Sequence, residues 1–300
     1  MITCNLLKTL PVANGLGECI LWNESEQRLY WTDMPGNQLL RYRPADDHIE
    51  RIPTPENLCS FGFIEHSDWL LCAFQSGIAR FHPDSRELHW LYRLPDPEGL
   101  RLNDGRVDRQ GRFWVGSLID NQGNSSDDPA RQGKLYRFDH DGSISEHLGG
   151  IRISNSLCWS PDGRTMYFAD SPSNQIERFD FYGQNGTLAN RTVLARTDAG
   201  IHPDGSIVDA DGYLWNAQWG NGKVIRYSPS GVIDTVIQLP VKQVTCLTFG
   251  GEDFSWLFVT SANFGLSAAE LAAQPQAGDV FIYQTSARGL AENRFIDRLP

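Results

Sequence analysis

Short apolar runs broken by polar turns recur along the whole chain. Each unit reads as an apolar stretch, a turn carrying Asp or Gly, and then a second stretch that ends in small or polar residues. Six copies can be laid out: CILWNESEQRLYWTD (19–33), FGFIEHSDWLLCAFQ (61–75), GRVDRQGRFWVGSL (105–118), LCWSPDGRTMYFADS (157–171), IVDADGYLWNAQW (207–219) and LTFGGEDFSWLFVTS (247–261). In several units a third run follows, as in QLLRYR (38–43), KLYRFD (134–139), QIERFD (175–180) and KVIRYS (223–228). These runs alternate apolar and polar positions, which predicts strands with one buried face. The Pro-Asp-Gly and Asp-x-x-Gly turns supply the backbone conformations that tight hairpins require. Helical periodicity is nearly absent; residues 267–273 are predicted to make one or two turns.

Repeats of about 40–50 residues, each with several antiparallel strands, have the length of a propeller blade. Six units therefore predict an all-β, six-bladed β-propeller over residues 1–300, a single domain around a central channel. None of the units ends in the Trp-Asp pair of the common scaffold propellers, which disfavours a protein-docking platform of that kind.

Composition narrows the partners. The 300 residues carry 26 Lys and Arg against 37 Asp and Glu, a net charge of −11. With no basic stripe to meet phosphates, nucleic acid is not an expected partner. No apolar run is long enough to span a membrane, and residues 1–18 lack the cationic start and apolar core of a secretory signal. Cys4, Cys19, Cys59, Cys72, Cys158 and Cys246 contain no C-x-x-C pair and lie mostly among strand-like residues, as reduced, buried thiols do. A cytoplasmic protein is expected.

Candidate chemistry comes from register. The first bulky residue before the turn in each unit is Trp22, Phe63, Val107, Trp159, Val208 or Phe249, and four residues earlier stand Glu18, Cys59, Asn103, Asn155, Asp204 and Thr245. Equivalent positions in a propeller share one ring around the axis, so Glu18, Asn103, Asn155 and Asp204 are expected to converge from four blades. Two carboxylates buried together cost several kcal/mol unless a cation compensates them. An all-oxygen donor set suits a hard divalent cation.

At these residues the sequence resembles the senescence-marker-protein/gluconolactonase/luciferin-regenerating-enzyme-like family. The resemblance rests on GLGECILW (15–22), RLNDGRVDRQGRFWVGS (101–117), SNSLCWSPDG (154–163), HPDGSIVDADGYLWNAQW (202–219) and TCLTFGG (245–251), in the family's order and spacing across nearly the whole chain. It implies one divalent ion (Ca²⁺, Mg²⁺, Mn²⁺ or Zn²⁺) held by Glu18, Asn155 and Asp204. It further implies a substrate pocket lined by Arg101 and Asn103, hydrolysis of a sugar lactone to its aldonic acid, and a monomer or a weak dimer. For the attacking water, Asp204 is the expected general base as well as a ligand, with a metal-bound hydroxide as the competing alternative. Asp120, Asn121 and His202 are further expected pocket residues. Two departures stand out: Ser154-Asn155-Ser156 replaces a frequent Pro-Asn-Gly, and Leu118-Ile119-Asp120-Asn121 replaces a glutamate pair of animal relatives. The alternatives from other classes are a metal-dependent aryl-ester or organophosphate hydrolase and a non-catalytic calcium-binding regulatory propeller.

Overall fold

The computed structural model describes residues 2–95, 99–119 and 132–299. These form six four-stranded antiparallel sheets. In five of the sheets the strands follow chain order from the axis outward, beginning with Gly17–Asn23, Leu58–Phe63, Leu100–Val107, Ser154–Trp159 and His202–Val208. The sixth sheet is composite. Its inner strands are Val244–Gly250, Trp256–Ser261 and Val280–Thr285, and its outer strand is Cys4–Leu10 from the other end of the chain. Cys4 pairs with Thr285 and Leu10 with Val280, which closes the circle. The expected six-bladed propeller is thus the observed fold.

The inner strands are almost wholly buried, as in LCSFGF (58–63) and VTCLTFG (244–250). Apolar side chains on facing sheets form the core between blades, for example Phe61, Phe63, Leu70, Cys72 and Phe74 of blade 2 against Leu21, Tyr30 and Leu39 of blade 1. The outer strands, such as His48–Pro53 and Ile233–Gln238, are mostly exposed. A short helix, Ala268–Ala273, follows Ser267, whose side chain forms a capping box with Glu270. No helix among the described residues is long and apolar enough to cross a membrane. All six cysteines are free thiols and five are buried.

The Asp-x-x-Gly turns at the ends of two inner strands are built around a buried carboxylate. Asp209 Oδ1 accepts from the Asp211 and Tyr213 backbone N–H groups at 3.1 and 2.9 Å, while Oδ2 accepts from Trp215 Nε1 and Arg226 Nε, both at 2.9 Å. Asp108 does the same for Gln110, Arg112 and Trp114. Both carboxylates are completely buried. The repeated Asp, Gly and Trp at offsets 0, 3 and 6 are therefore one structural device, with Gly212 at φ 83° completing the turn where a Cβ is disfavoured.

Beyond the last strand, residues 286–299 run across the end of the propeller that carries these turns. Gly289, Phe295, Ile296 and Arg298 donate backbone hydrogen bonds to Phe254, Phe63, Gly111 and His140, tying together three blades. Glu292 lies against the inner strands there, accepting from Thr248 Oγ1 at 3.1 Å and facing Arg106 at 3.7 Å. A cavity of about 20 Å³ between Arg106, Arg109, Trp159 and Glu292 remains beneath this segment. It is large enough for one water.

Candidate metal centre and substrate pocket

All six innermost strands share one irregularity. Their pairing with the second strand slips between Glu18 and Leu21, Leu58 and Ser60, Leu102 and Gly105, Asn155 and Cys158, Pro203 and Ser206, and Val244 and Leu247. The six residues aligned from sequence thus lie within or at the edge of a β-bulge. Bulges re-aim side chains and free backbone groups from the ladder. Cys19 and Ser156, the residues that follow Glu18 and Asn155, have φ of 44° and 61°. Ser156 stands where the family resemblance predicts a frequent glycine, and it holds the left-handed conformation that glycine favours.

The groups freed by the bulges are bonded between neighbouring blades. Thr245 Oγ1 donates to the Gly17 carbonyl. Phe61 N–H donates to Cys19 Sγ at 3.1 Å, and Leu102 N–H to the Gln75 carbonyl at 3.2 Å. Asp104 Oδ2 accepts from Leu157 N–H at 2.9 Å. Ser156 Oγ donates to the Asp204 carbonyl. Between blades 5 and 6 contact replaces a bond: a Cβ on Gly205 would stand 2.9 Å from the Thr245 carbonyl oxygen. Each inner strand is thereby tied to the neighbouring blade at the level of the ring.

The expected site residues are brought together at this level, with the exception of Asp120 and Asn121, which lie outside the described residues. Asn155 and Asp204 are buried; Glu18, Arg101, Asn103 and His202 are partly exposed. The Glu18 charge lies close enough to Asp204 to raise its pKa. Burial pushes the Glu18 carboxyl up to about 8, reinforced by Asp104 and opposed by Arg101. Burial drives Asp204 well above the usual carboxylate range, with Glu18 and Asp104 adding to it. Asp104, a third acidic group that register did not single out, is itself raised by burial. Its signal in the sequence was only its adjacency to Asn103.

The arrangement fits a divalent cation. None of Glu18, Asp104 and Asp204 forms an ion pair with a described residue, so the acidic charge at the ring is uncompensated by protein cations in direct contact. Asn155 Nδ2 donates to Ser171 Oγ at 2.8 Å, leaving its Oδ1 as the donor atom on the other side of the amide. No group of three His, Cys, Asp or Glu side chains among the described residues is placed to hold a metal by itself. A cation held by Glu18 and Asp204 would need further oxygen donors, and Asn155 Oδ1 is a candidate on the same ring. Oxygen-only sets of this type suit hard ions.

Arg101 and Asn103 form a unit beside it. Arg101 Nη1 donates to Asn103 Oδ1 at 2.7 Å and to the Leu102 carbonyl at 3.1 Å, and Asn103 Nδ2 donates to the Ser154 carbonyl at 2.9 Å. Both polar ends of the Asn103 amide are engaged, its oxygen by the Arg101 guanidinium. His202 Nδ1 lies 3.1 Å from the Ser171 carbonyl oxygen, which only accepts, so Nδ1 carries the proton.

The raised carboxyls give a pH signature. Between the unfolded value near 4.5 and about 8, folded Glu18 holds a proton that the unfolded chain has released. The folded state then binds more protons, so stability falls as pH rises through that window. Chelator-treated protein should show a Tm that declines from pH 5 to pH 8, and the Tm gain on adding Ca²⁺ should grow over the same range. Thermal melts at several pH values check this; a Tm gain independent of pH would contradict it.

Comparison with known proteins agrees with this architecture. A family described as the SMP-30/Gluconolactonase/LRE-like region matches residues 16–263. L-arabinolactonase of Azospirillum brasilense is 39% identical over 94% of this chain and 92% of its own length. The 6-deoxy-6-sulfogluconolactonase of Pseudomonas putida is 37% identical, over 93% and 94% respectively. Among solved structures, the calcium-binding protein regucalcin from Agrobacterium tumefaciens superposes with a TM-score of 0.89 at 28% identity, covering 98% of this chain and 97% of that one. The chain belongs to the SMP-30/gluconolactonase/LRE-like family.

Proposed function

We propose that this protein is a divalent-metal-dependent hydrolase that opens an aldonolactone to its aldonic acid, with Glu18, Asn155 and Asp204 as metal ligands. The observation that carries the reading is the convergence of two uncompensated carboxyl groups and an oriented amide oxygen on one ring, beside the Arg101 guanidinium. Relatives named as lactonases for two different sugar acids support the substrate class. A divalent cation supplies Lewis acidity toward the lactone carbonyl when bound.

The chain's own groups account for the remaining steps. Asp204 accepts the proton as water oxygen bonds to the carbonyl carbon. The ring C–O bond breaks, and the proton passes to the departing alkoxide to leave a hydroxy acid. Arg101, held in place by Asn103, donates to substrate hydroxyls or the ring oxygen. His202 lines the pocket, and Asp120 and Asn121 are assigned to it on the resemblance alone.

The product acid ionises at neutral pH, so a pH indicator follows the reaction. A panel of pentono- and hexonolactones is to be tested on chelator-treated protein, then with Ca²⁺, Mg²⁺, Mn²⁺ or Zn²⁺ restored singly, after subtracting spontaneous opening. Turnover of one or two lactones that requires metal is expected. In the same assay Arg101→Ala should raise KM by roughly 10-fold with a smaller change in kcat, the loss of one charge-assisted hydrogen bond. Metal binding without turnover of any lactone would move the assignment to a calcium-binding regulatory propeller. Turnover of aryl esters alone would move it to an esterase.

A further inference from the structure

The loop between the second and third strands of blade 4 lies against both ligand-bearing inner strands. Ser171 opens it. Its hydroxyl accepts from Asn155 Nδ2 at 2.8 Å and donates to the Pro203 carbonyl at 2.7 Å, the peptide oxygen directly before Asp204. Its carbonyl accepts from His202 Nδ1 at 3.1 Å, and its N–H donates to the Ile153 carbonyl at 3.0 Å. The residue is buried, at 4% exposure. Three residues on, Asn174 sits at φ 57° and bonds through Nδ2 to the Asp198 and Ile201 carbonyls, which pins the loop to the segment leading into His202. Asp170 Oδ1 accepts from the Arg152 and Ile153 N–H groups and pins it on the other side.

We infer that Ser171 is a positioning residue whose single hydroxyl fixes which end of the Asn155 amide faces the metal and sets the spacing between Asn155 and Asp204. The inference rests on the ligand assignment proposed above. The chemistry is specific. A primary amide has one end that ligates a cation and one that repels it, and the two have nearly the same shape. Rotation by half a turn would present N–H groups to the ion. The Ser171 proton is committed to the Pro203 carbonyl, so its oxygen is left to accept, and only the NH₂ end of Asn155 can meet it. Partners of this kind, one bond removed from the ion, commonly change metal affinity by about 10–100-fold when lost.

A double-mutant cycle separates orientation from mere packing. Ca²⁺ and Mn²⁺ are each titrated calorimetrically into chelator-treated wild type, Ser171→Ala, Asn155→Asp and the double variant. Ser171→Ala should weaken binding by roughly 10–100-fold in the wild-type background. A carboxylate offers oxygen at either end, so in the Asn155→Asp background the same substitution should cost less than roughly 3-fold. The Tm of Ser171→Ala in chelator should stay within a few degrees of wild type. Unchanged affinity in Ser171→Ala, or an equal loss in both backgrounds, would overturn the inference. Asp204→Asn is the control for the underlying assignment: if it binds both ions as wild type does, the ligand set is wrong and the inference falls with it. If it loses them while Ser171→Ala does not, only the inference falls.

Discussion

Asp204→Asn is expected to lower kcat/KM for the lactone by roughly 10³-fold, the scale of a lost general base, and to abolish measurable Ca²⁺ binding. The substitution keeps shape and removes charge. The backbone around Asp204 is held independently of its carboxylate, because the carbonyl accepts from Ser156 Oγ and from Asn216 Nδ2. The inner strand should therefore stay in place. Removing the Asp204 carboxyl also removes a buried charge that burial, Glu18 and Asp104 all disfavour. In chelator the variant should melt at the same temperature as wild type or higher, the opposite of ordinary damage to a buried residue. Lactone kinetics, calorimetry and a thermal melt decide it. Retention of activity within about 3-fold would remove Asp204 from the reaction.

A second large effect is expected far from the ring. Asp209→Ala leaves Arg226 buried without its fully buried partner and strips acceptors from two backbone N–H groups and the Trp215 indole. Arg226 retains Asp234 at 2.7 Å, which limits the loss. Breaking one side of a buried ion pair costs about 3–5 kcal/mol. For a chain of this size the Tm should drop by roughly 10 °C. The folded fraction should keep wild-type metal affinity, since the turn lies at the opposite end of the inner strand from Asp204. A loss below about 1 kcal/mol in denaturant melts would show that Asp209 does not hold the blade together.

What could be read from sequence follows from how each strand is exposed. Inner and second strands are buried on both faces or carry strict turns, so WSPDGRTMYFAD and VDADGYLW announce themselves. Outer strands such as HIERIP and IDTVIQ are open to solvent, and their hydrophobic period is weak. The fourth strand of each blade and the joining of Cys4–Leu10 to the last sheet were not apparent for that reason. The ring was legible because repeats share a register: Glu18, Asn103, Asn155 and Asp204 keep one offset from a bulky anchor. The bulges that make the offset meaningful are backbone events and leave no residue signature of their own. Ser171 stood in plain view in YFADS, but its role depends on Asn155 in the paired strand of its own blade and on Pro203 across the boundary to the next.

The composite sixth sheet has a consequence for synthesis. Glu18 leaves the ribosome early, and Asn103, Asn155 and Asp204 follow, yet the circle is held shut by Cys4–Leu10 pairing with Val280–Thr285. A nascent chain can carry all four side chains, even several finished sheets, while its first strand still waits for a partner that has not been translated. Pairing of such distant segments is slow. Closure of the ring therefore waits until Val280–Thr285 has been made, however early the four ring side chains appear.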